Sequence, residues 1–453
     1  MFSTNSDPEP LSGKDKNSFA YRTLAERLPV IITKVIDLLC RQRKQFPILL
    51  SIEKDQYTEA IEETKALIEE LARLKYELQT NKPLKLLSTS YGSSDTEQWN
   101  QYLLKHKTNN DSQEVTWFNV SWLYAECYFY RRMWETFQLS AHYRQFDQFY
   151  LIKQESFLQL LPFADKLASH LLQVKESDLN QDHFHFYLMN SLWGNRCDLS
   201  ISCGEKGNGS INVDFQELNS KILVNDFNLL WNYVKILNQH VENQIIIDVV
   251  LDNSGYELFT DFCLIEYLHQ SGMIPKDRSL VRFHVKKMPW FVSDTLSKDI
   301  DWLLYTITND EKNEIFSKLK LIVNENFRQN FNRKLWLIVE NDFWTLPHDF
   351  SDMKECDPNL YENFCNSNFV LFKGDLNYRK LVGDLKWNLS TDFNESLRKF
   401  RPTTAICSLR TIKADVVVGI SDKKILNEIE KSFPTNWMET GEYAVIHFLN
   451  NKP

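Results

Sequence analysis

Between Gln244 and Gly255 an apolar run, Ile-Ile-Ile-Asp-Val-Val-Leu, stops at Asp252, Asn253, Ser254 and Gly255. A carboxylate and a side-chain amide in succession are hard oxygen donors. That ligand type suits Mg²⁺ or Mn²⁺ far better than it suits the phosphates of a nucleotide. Three further runs end in polar residues. Val281 to Lys286 leads through Pro289-Trp290-Phe291 to Ser293-Asp294. Val370 to Lys373 leads to Gly374-Asp375-Leu376-Asn377-Tyr378-Arg379-Lys380, and Ala405 to Leu409 leads to Arg410-Thr411-Ile412-Lys413. Oxygen ligands follow two of these runs, and Arg and Lys follow two others. A cation held by acids and faced by fixed positive side chains fits a phosphate ester. The metal neutralises phosphoryl oxygens and activates a water, while Lys and Arg stabilise the charge that builds in transfer.

Each element also has a plain structural role open to it. Asp-Asn-Ser-Gly is ordinary turn and helix-cap chemistry, Asp294 can be an N-cap, and Gly374-Asp375 can be a tight turn. Arg410 and Lys413 can be solvated surface cations. Convergence separates the readings: four run ends of complementary chemistry are expected on one face.

That face is set by the elements behind it. An apolar run followed by the amphipathic pattern Tyr256–Gln270 predicts strand, turn and helix. Ligand sites of open α/β sheets lie beyond the carboxyl ends of the strands, where Asp252 and Asn253 fall. Strands are expected at Ile245–Leu251, Leu280–Lys286, Leu335–Val339, Phe369–Phe372, Thr404–Leu409, Val416–Val418 and Tyr443–Leu449. Helical patterns between most of them predict a largely parallel sheet covered on both faces.

From Tyr21 to about Leu192 the spacing is helical, as in Leu24, Leu28, Ile31, Ile32, Val35 and Leu38. Trp117, Trp122, Tyr124, Tyr128, Tyr130 and Trp134 form an aromatic stripe. Its helical spacing, in an acidic chain, predicts a packed core rather than a base-stacking platform or an exposed interaction surface. The expected organisation is an unstructured arm over 1–17, a mainly helical domain over 18–205 and an α/β/α domain over 206–453. The glycine-rich stretch Cys203–Gly209 would connect the two halves, and Gly194 would end a helix. His183 and His185 are expected on a solvated turn rather than at a metal.

Bulk properties narrow the function classes. A formal charge of −9 and a pI near 5.7 argue against a general binder of nucleic acid or anionic membrane. None of the eight cysteines forms a C-x-x-C pair, so reduced thiols in an intracellular compartment are expected. The first residues lack the apolar core of a signal peptide. No G-x-S-x-G elbow is present, and no histidine falls in a nucleophile motif.

Leu251-Asp-Asn-Ser-Gly-Tyr-Glu257, Phe372-Lys-Gly-Asp-Leu-Asn-Tyr-Arg-Lys-Leu381 and Arg410-Thr-Ile-Lys413 resemble the metal-dependent damage-control phosphatases. More narrowly, they resemble the subfamily marked by an Arg-Thr-x-Lys motif, which acts on sugar phosphates. The resemblance runs from Ser121-Trp-Leu-Tyr-Ala-Glu126 through Ser191-Leu-Trp-Gly-Asn195 to Lys413. It implies a helical N-terminal domain on an α/β/α, Rossmann-like C-terminal domain. It implies a divalent cation, Mn²⁺ first and Mg²⁺, Co²⁺ or Ni²⁺ as alternatives, held by Asp252, Asn253 and Asp294. The phosphosugar would meet Asp252, Asn253, Lys413 and the segment Asp375, Leu376, Asn377, Tyr378 and Arg379. Catalysis would fall to Asp252, Asn253, Asp294 and Lys413, with fructose 1-phosphate or fructose 6-phosphate as substrate type.

A second activity is attributed to the same group: methyl transfer from S-adenosylmethionine to protein glutamate carboxyls, with Glu257 and Asp294 near the donor. The usual donor loop carries a G-x-G pattern after a strand. Here Gly207-x-Gly209 falls before the α/β half instead. The partner expected is a small phosphorylated sugar, with no nucleic acid and no membrane, in the cytoplasm or nucleus. From the helical half, Glu126, Arg131, Asn190 and Asn195 are the residues that could reach the pocket.

Overall fold

A computed structural model of the chain describes residues 7–90, 92–109, 114–175, 179–194, 215–240, 244–309, 316–422, 426–427, 429, 431 and 437–452. The passage Cys203–Gly209 and Asn195 lie outside them. Among the described residues seven strands form one sheet: β1 (Ile222–Asn225), β2 (Ile245–Val250), β3 (Ser279–Val285), β4 (Trp336–Glu340), β5 (Phe369–Lys373), β6 (Ala405–Thr411) and β7 (Ala444–Asn450). Their order is β1-β7-β6-β5-β2-β3-β4. Every neighbouring pair runs parallel except β6 and β7. After β2 the chain moves outward through β3 to β4, then crosses back to β5 on the other flank of β2. The crevice beyond the carboxyl ends of β2 and β5 is therefore the switch point where doubly wound sheets bind ligands.

The strands are largely apolar because both faces of the sheet are buried, and polar residues within them pair in place, as Asp248 of β2 does with Arg282 and His284 of β3. Alternation distributes them between two cores. Val250, Val370, Phe372 and Ile406 join one core with Leu24, Trp122, Tyr130 and the other aromatics of the early helices. Ile247, Val249, Leu371 and Cys407 join the other with Phe157, Phe186, Trp193 and the helix Tyr256–Gln270. The helical segment thus serves both faces: its early helices cover one, and those from Phe157 to Trp193 cover the other. All six rings of the aromatic stripe are buried, which makes it core.

Three local expectations are revised. Val416–Val418 is not a strand. The Arg410 side chain takes the carbonyls of Ala414 and Val416, and Val418 N–H donates to the Tyr378 hydroxyl, so the ladder's partners are already spent. Residues 7–17, expected within the unstructured arm, pack on the fold. Leu11 is buried, its N–H donates to Asp384 O, and its carbonyl accepts from Trp122 N–H. Pro10 also forms a bridge with Leu385. His183 and His185 lie on the helix Gln181–Trp193 rather than a turn, and positions two apart on a helix do not share a face. No helix of the described residues is long and apolar enough to cross a membrane.

Candidate active site

Asp252 and Asn253 follow β2 directly, and Asp294 follows β3 after a tight loop. The two loops are tied together. Asn253 and Asp294 form an isolated antiparallel bridge, Ser254 N–H donates to Ser293 O at 2.8 Å, and Thr295 N–H donates to Asp252 O at 2.8 Å. Two carboxylates and an amide thereby meet although 42 positions separate Asp252 from Asp294 in the chain. The connecting loop stores strain. Phe291 and Val292 both adopt left-handed backbone, with φ of 43° and 69°. A β-branched residue rarely accepts that region, and such outliers gather at functional sites. Packing holds the loop there: Trp290 is fully buried, and Phe291 stacks on Tyr130 with ring centroids 4.7 Å apart.

Gly374, at the end of β5, gives the second loop its closeness. Its φ is +82°, and a Cβ added there would stand 2.6 Å from Asp252 Cβ and nearer still to the carboxylate. Glycine is needed both for the backbone and for the space. The helix Gly374–Val382 starts at this point, with Asp375 and Leu376 in its first turn, where unpaired N–H groups favour an anion.

These elements enclose a cavity of about 190 Å³. The α/β half lines it with Asp252, Asn253, Phe291, Ser293, Asp294, Asp375, Leu376, Arg379 and Lys413, and the helical half with Arg27, Trp122 and Glu126. Acidic and cationic groups therefore share one hollow at the switch point. Larger grooves exist, such as one of about 630 Å³ beside Tyr305 and Arg328, but no such set of opposed charges lines it.

The acidic end is crowded. Burial, then the Glu257 and Asp294 carboxylates, hold the Asp252 carboxyl well above its usual range. Burial pushes Asp294 up to about 6, against the pull of Lys286, whose Nζ stands 3.5 Å from Asp294 Oδ2. That oxygen is buried and accepts no hydrogen bond. Asn253 Nδ2 donates to Asp252 Oδ2 at 2.7 Å and to Glu257 Oε2 at 2.8 Å, and Asn253 Oδ1 accepts from the Ser293 hydroxyl. Among the described residues no three Asp, Glu, His or Cys side chains form a metal cluster. The donor set on offer is two carboxylates and one amide oxygen. An oxygen-only set with an orphaned buried carboxylate oxygen fits a hard divalent cation that keeps several waters.

Behind Asn253 lies a buried chain of charges. Glu257 faces Lys373 Nζ at 3.3 Å, and Lys373 also reaches Asp261 at 2.9 Å and the Ser191 hydroxyl at 2.9 Å. Burial lowers the lysine's affinity for its proton, but Asp261 and Glu257 more than restore it, so Lys373 stays charged. Ser191 sits on the helix that ends at Gly194. A Cβ at Gly194 would meet Thr260 Oγ1 at 2.7 Å, so this glycine serves close helix contact rather than a left-handed turn.

The cationic residues divide into structural and available ones. Arg379 is engaged through three of its five N–H donors: Nε and Nη2 donate to Asp384, Nη1 donates to Glu126 Oε2 at 2.7 Å, and the guanidinium lies 3.8 Å from the Trp122 ring centroid. Arg410 is spent on Asp375, the 414–416 carbonyls and the Tyr378 ring. Although burial opposes it, Arg410 and Arg379 hold the Asp375 carboxyl below its usual range. Asp375 Oδ1 in turn accepts from Lys413 N–H at 3.0 Å and fixes that loop. The Lys413 stem runs past Gly441, where a Cβ would stand 3.3 Å from Lys413 Cε.

The helix after β5 sorts the remaining expected residues by its period. Positions 375, 376 and 379 line the cavity, whereas Asn377 and Tyr378 do not. Asn377 donates to the Leu251 and Lys373 carbonyls, and Tyr378 is buried against His447. From the helical half Glu126 reaches the cavity. Arg131 is paired internally with Asp95, and Asn190 donates to Phe186 O. Arg27 and Trp122 were not legible as site residues. Trp122 is one ring in a stripe of core aromatics, and Arg27 lies beside Glu26 at a Leu-Pro helix start, far from any of the strand ends that mark the site.

Residues 23–428 match the model of the damage-control phosphatase ARMT1-like domain. The damage-control phosphatase ARMT1 of Mus musculus is 38% identical over 451 residues, which covers 97% of this chain and 98% of the relative. Its namesake from Danio rerio is 36% identical over 456 residues, covering 97% of each. The Homo sapiens protein of that name is 36% identical over 453 residues, with 97% and 98% covered.

Proposed function

The chain belongs to the ARMT1-like damage-control phosphatases, and from that premise we propose that it is a metal-dependent phosphomonoesterase acting on small sugar phosphates of the fructose 1-phosphate type. The observation that carries the reading is the shared cavity, with Asp252, Asn253 and Asp294 facing Lys413 across a volume of about 190 Å³. Sites for drug-sized ligands run to roughly 300–1,000 Å³, so this one suits a small metabolite rather than a nucleotide or phosphopeptide.

In this reading Asp252, Asn253 and Asp294 hold Mn²⁺ or a related divalent ion. Such an ion supplies a Lewis acid for phosphoryl oxygens and lowers the pKa of water beside it. Lys413 brings a compact, mobile point charge to the transferred group. The first turn of the helix Gly374–Val382 adds oriented N–H groups. Asp375 acts through Lys413, and Glu257 through Asn253, by fixing their positions. Arg379 orients Glu126 with part of its fork and, lining the cavity, keeps two of its five N–H donors for the phosphosugar. Methyl transfer would ask Glu257 to meet the donor. Its carboxylate is already engaged by Asn253 and Lys373, which favours hydrolysis.

The test is phosphate release from a panel of sugar phosphates with the metal varied. Turnover that requires a divalent ion, stops with chelator and is lost in Asp252→Asn supports the reading. Turnover that survives chelation or that substitution refutes it.

A further inference from the structure

The helical half presents a cation to the cavity that has no role in the reading above. Arg27 ends a π-helical turn, Thr23–Arg27, directly before the helix Leu28–Gln42. A wide turn adds one residue to the helix and swings the following side chains by about 100° relative to an unbroken α-helix. The guanidinium rests over the Phe19 ring, 4.8 Å from its centroid, lines the cavity and has no carboxylate partner among the described residues. Arg379 by contrast carries two carboxylate partners, Glu126 and Asp384, and Arg410 is paired with Asp375. The cavity-lining cations without a carboxylate ion pair among the described residues are thus Lys413 from the α/β half and Arg27 from the helical half.

They come from different elements: Lys413 follows β6 on the loop held by Asp375, and Arg27 stands beside Phe19 in the helical half. Glu126 is 6% exposed, accepts from Arg379 through Oε2 and is among the residues that line the cavity. A planar guanidinium offers two donors to neighbouring oxygens, and a fixed carboxylate beside it accepts from hydroxyls. Such a pair recognises a polyol better than it recognises a phosphoryl group, which the acceptor would repel.

We infer that Arg27 and Glu126 form a recognition subsite for the sugar hydroxyls of the phosphorylated substrate, so that the helical half sets which ester is accepted. This inference rests on the phosphatase reading for its substrate class, but binding tests it separately from turnover. In calorimetry with Mn²⁺ present, on the Asp252→Asn background in which turnover is lost, fructose 1-phosphate and inorganic phosphate are each titrated into the parent, Arg27→Gln, Arg27→Lys and Glu126→Gln. For Arg27→Gln the loss of affinity for the sugar phosphate should exceed the loss for inorganic phosphate by about tenfold or more, the range for charge-assisted hydrogen bonds. Arg27→Lys should recover only part of it, since an ammonium lacks the planar fork. Glu126→Gln, which retains an oxygen for Arg379, should show the same bias.

Equal losses on both ligands would place Arg27 at the phosphoryl group and overturn the subsite, as would no loss on either. Wild type that binds the sugar phosphate without hydrolysing it would sink the phosphatase reading while the affinity ratio still judges the subsite. Wild type that binds no sugar phosphate would sink both.

Discussion

Replacing Gly374 by alanine should disable the site while leaving the protein folded. The backbone at Gly374 has φ +82°, and an added Cβ would stand 2.6 Å from Asp252 Cβ. The nearest carbon is Asp252 Cγ at 2.0 Å, and non-bonded carbons settle at about 3.5 Å or beyond, so the Asp252 carboxylate must retreat by roughly 1.5 Å. Metal ligation tolerates only about 0.2 Å, and a misplacement of about 1 Å in a reacting constellation costs on the order of 10²-fold in rate. The left-handed backbone adds a stability cost of about 1–2 kcal/mol.

Gly383→Ala supplies the control. Its φ is +76°, and the new Cβ would stand 2.6 Å from Arg398 Cζ, the end of a flexible side chain that does not line the cavity. Both variants should lose similar stability in a urea titration. Gly374→Ala alone should lose about 10²-fold or more in kcat/KM for a sugar phosphate, together with Mn²⁺ affinity. Equal activity in the two variants would refute the argument that Asp252 works from the place this glycine leaves open.

Further outcomes follow from the same geometry. Lys413→Ala should lower kcat by about 10²-fold, as loss of one preorganised donor to a transition state typically does, with Mn²⁺ affinity retained; steady-state kinetics and calorimetry check it. Arg379→Met should act on stability, because it strands Glu126 and Asp384 as buried unpaired carboxylates at a cost of about 3–5 kcal/mol, read as a fall in denaturation midpoint larger than that of Lys413→Ala. His447 is buried, and burial followed by Arg410 lowers its pKa to about 3, so it stays neutral in the folded state. The unfolded chain takes up that proton near pH 6.5, so this group's share of stability is lost as pH falls from there toward 3. His447→Gln should flatten that slope by up to about 1.4 kcal/mol per pH unit in urea titrations at stepped pH.

The sequence shows the sheet well where both faces are buried, because β2, β3, β5 and β6 then read as largely apolar runs, broken only by residues such as Asp248, Arg282 and His284 that pair across strands. It shows the edge poorly. Ile222–Asn225 is four residues long with mixed burial, too short for a pattern, and the antiparallel direction of β7 leaves no mark on its composition. Val416–Val418 has the residues of a strand, but Arg410 and Tyr378 take its backbone partners, and side-chain competition of that kind is invisible to periodicity.

The site was legible as residue types at strand ends and less so as roles. Asp252, Asn253, Asp294 and Lys413 stand where convergence predicted. Asn377 and Tyr378 carry the same motif but turn to the sheet by helical phase. Arg379 and Arg410 read as free cations because their acidic partners and acceptor carbonyls lie where spacing gives no hint of pairing, from Glu126 far back in the chain to Asp384 just beyond the helix. Arg27 gave no signal at all, since its place depends on packing between halves of the chain.

Anomalous diffraction from crystals soaked with Mn²⁺ and fructose 1-phosphate bears on the mechanism most directly. One Mn²⁺ peak bounded by Asp252, Asn253 and Asp294 is expected, with the phosphoryl group between that ion and Lys413. An ion bound elsewhere, or a phosphoryl group out of reach of Lys413, would contradict it.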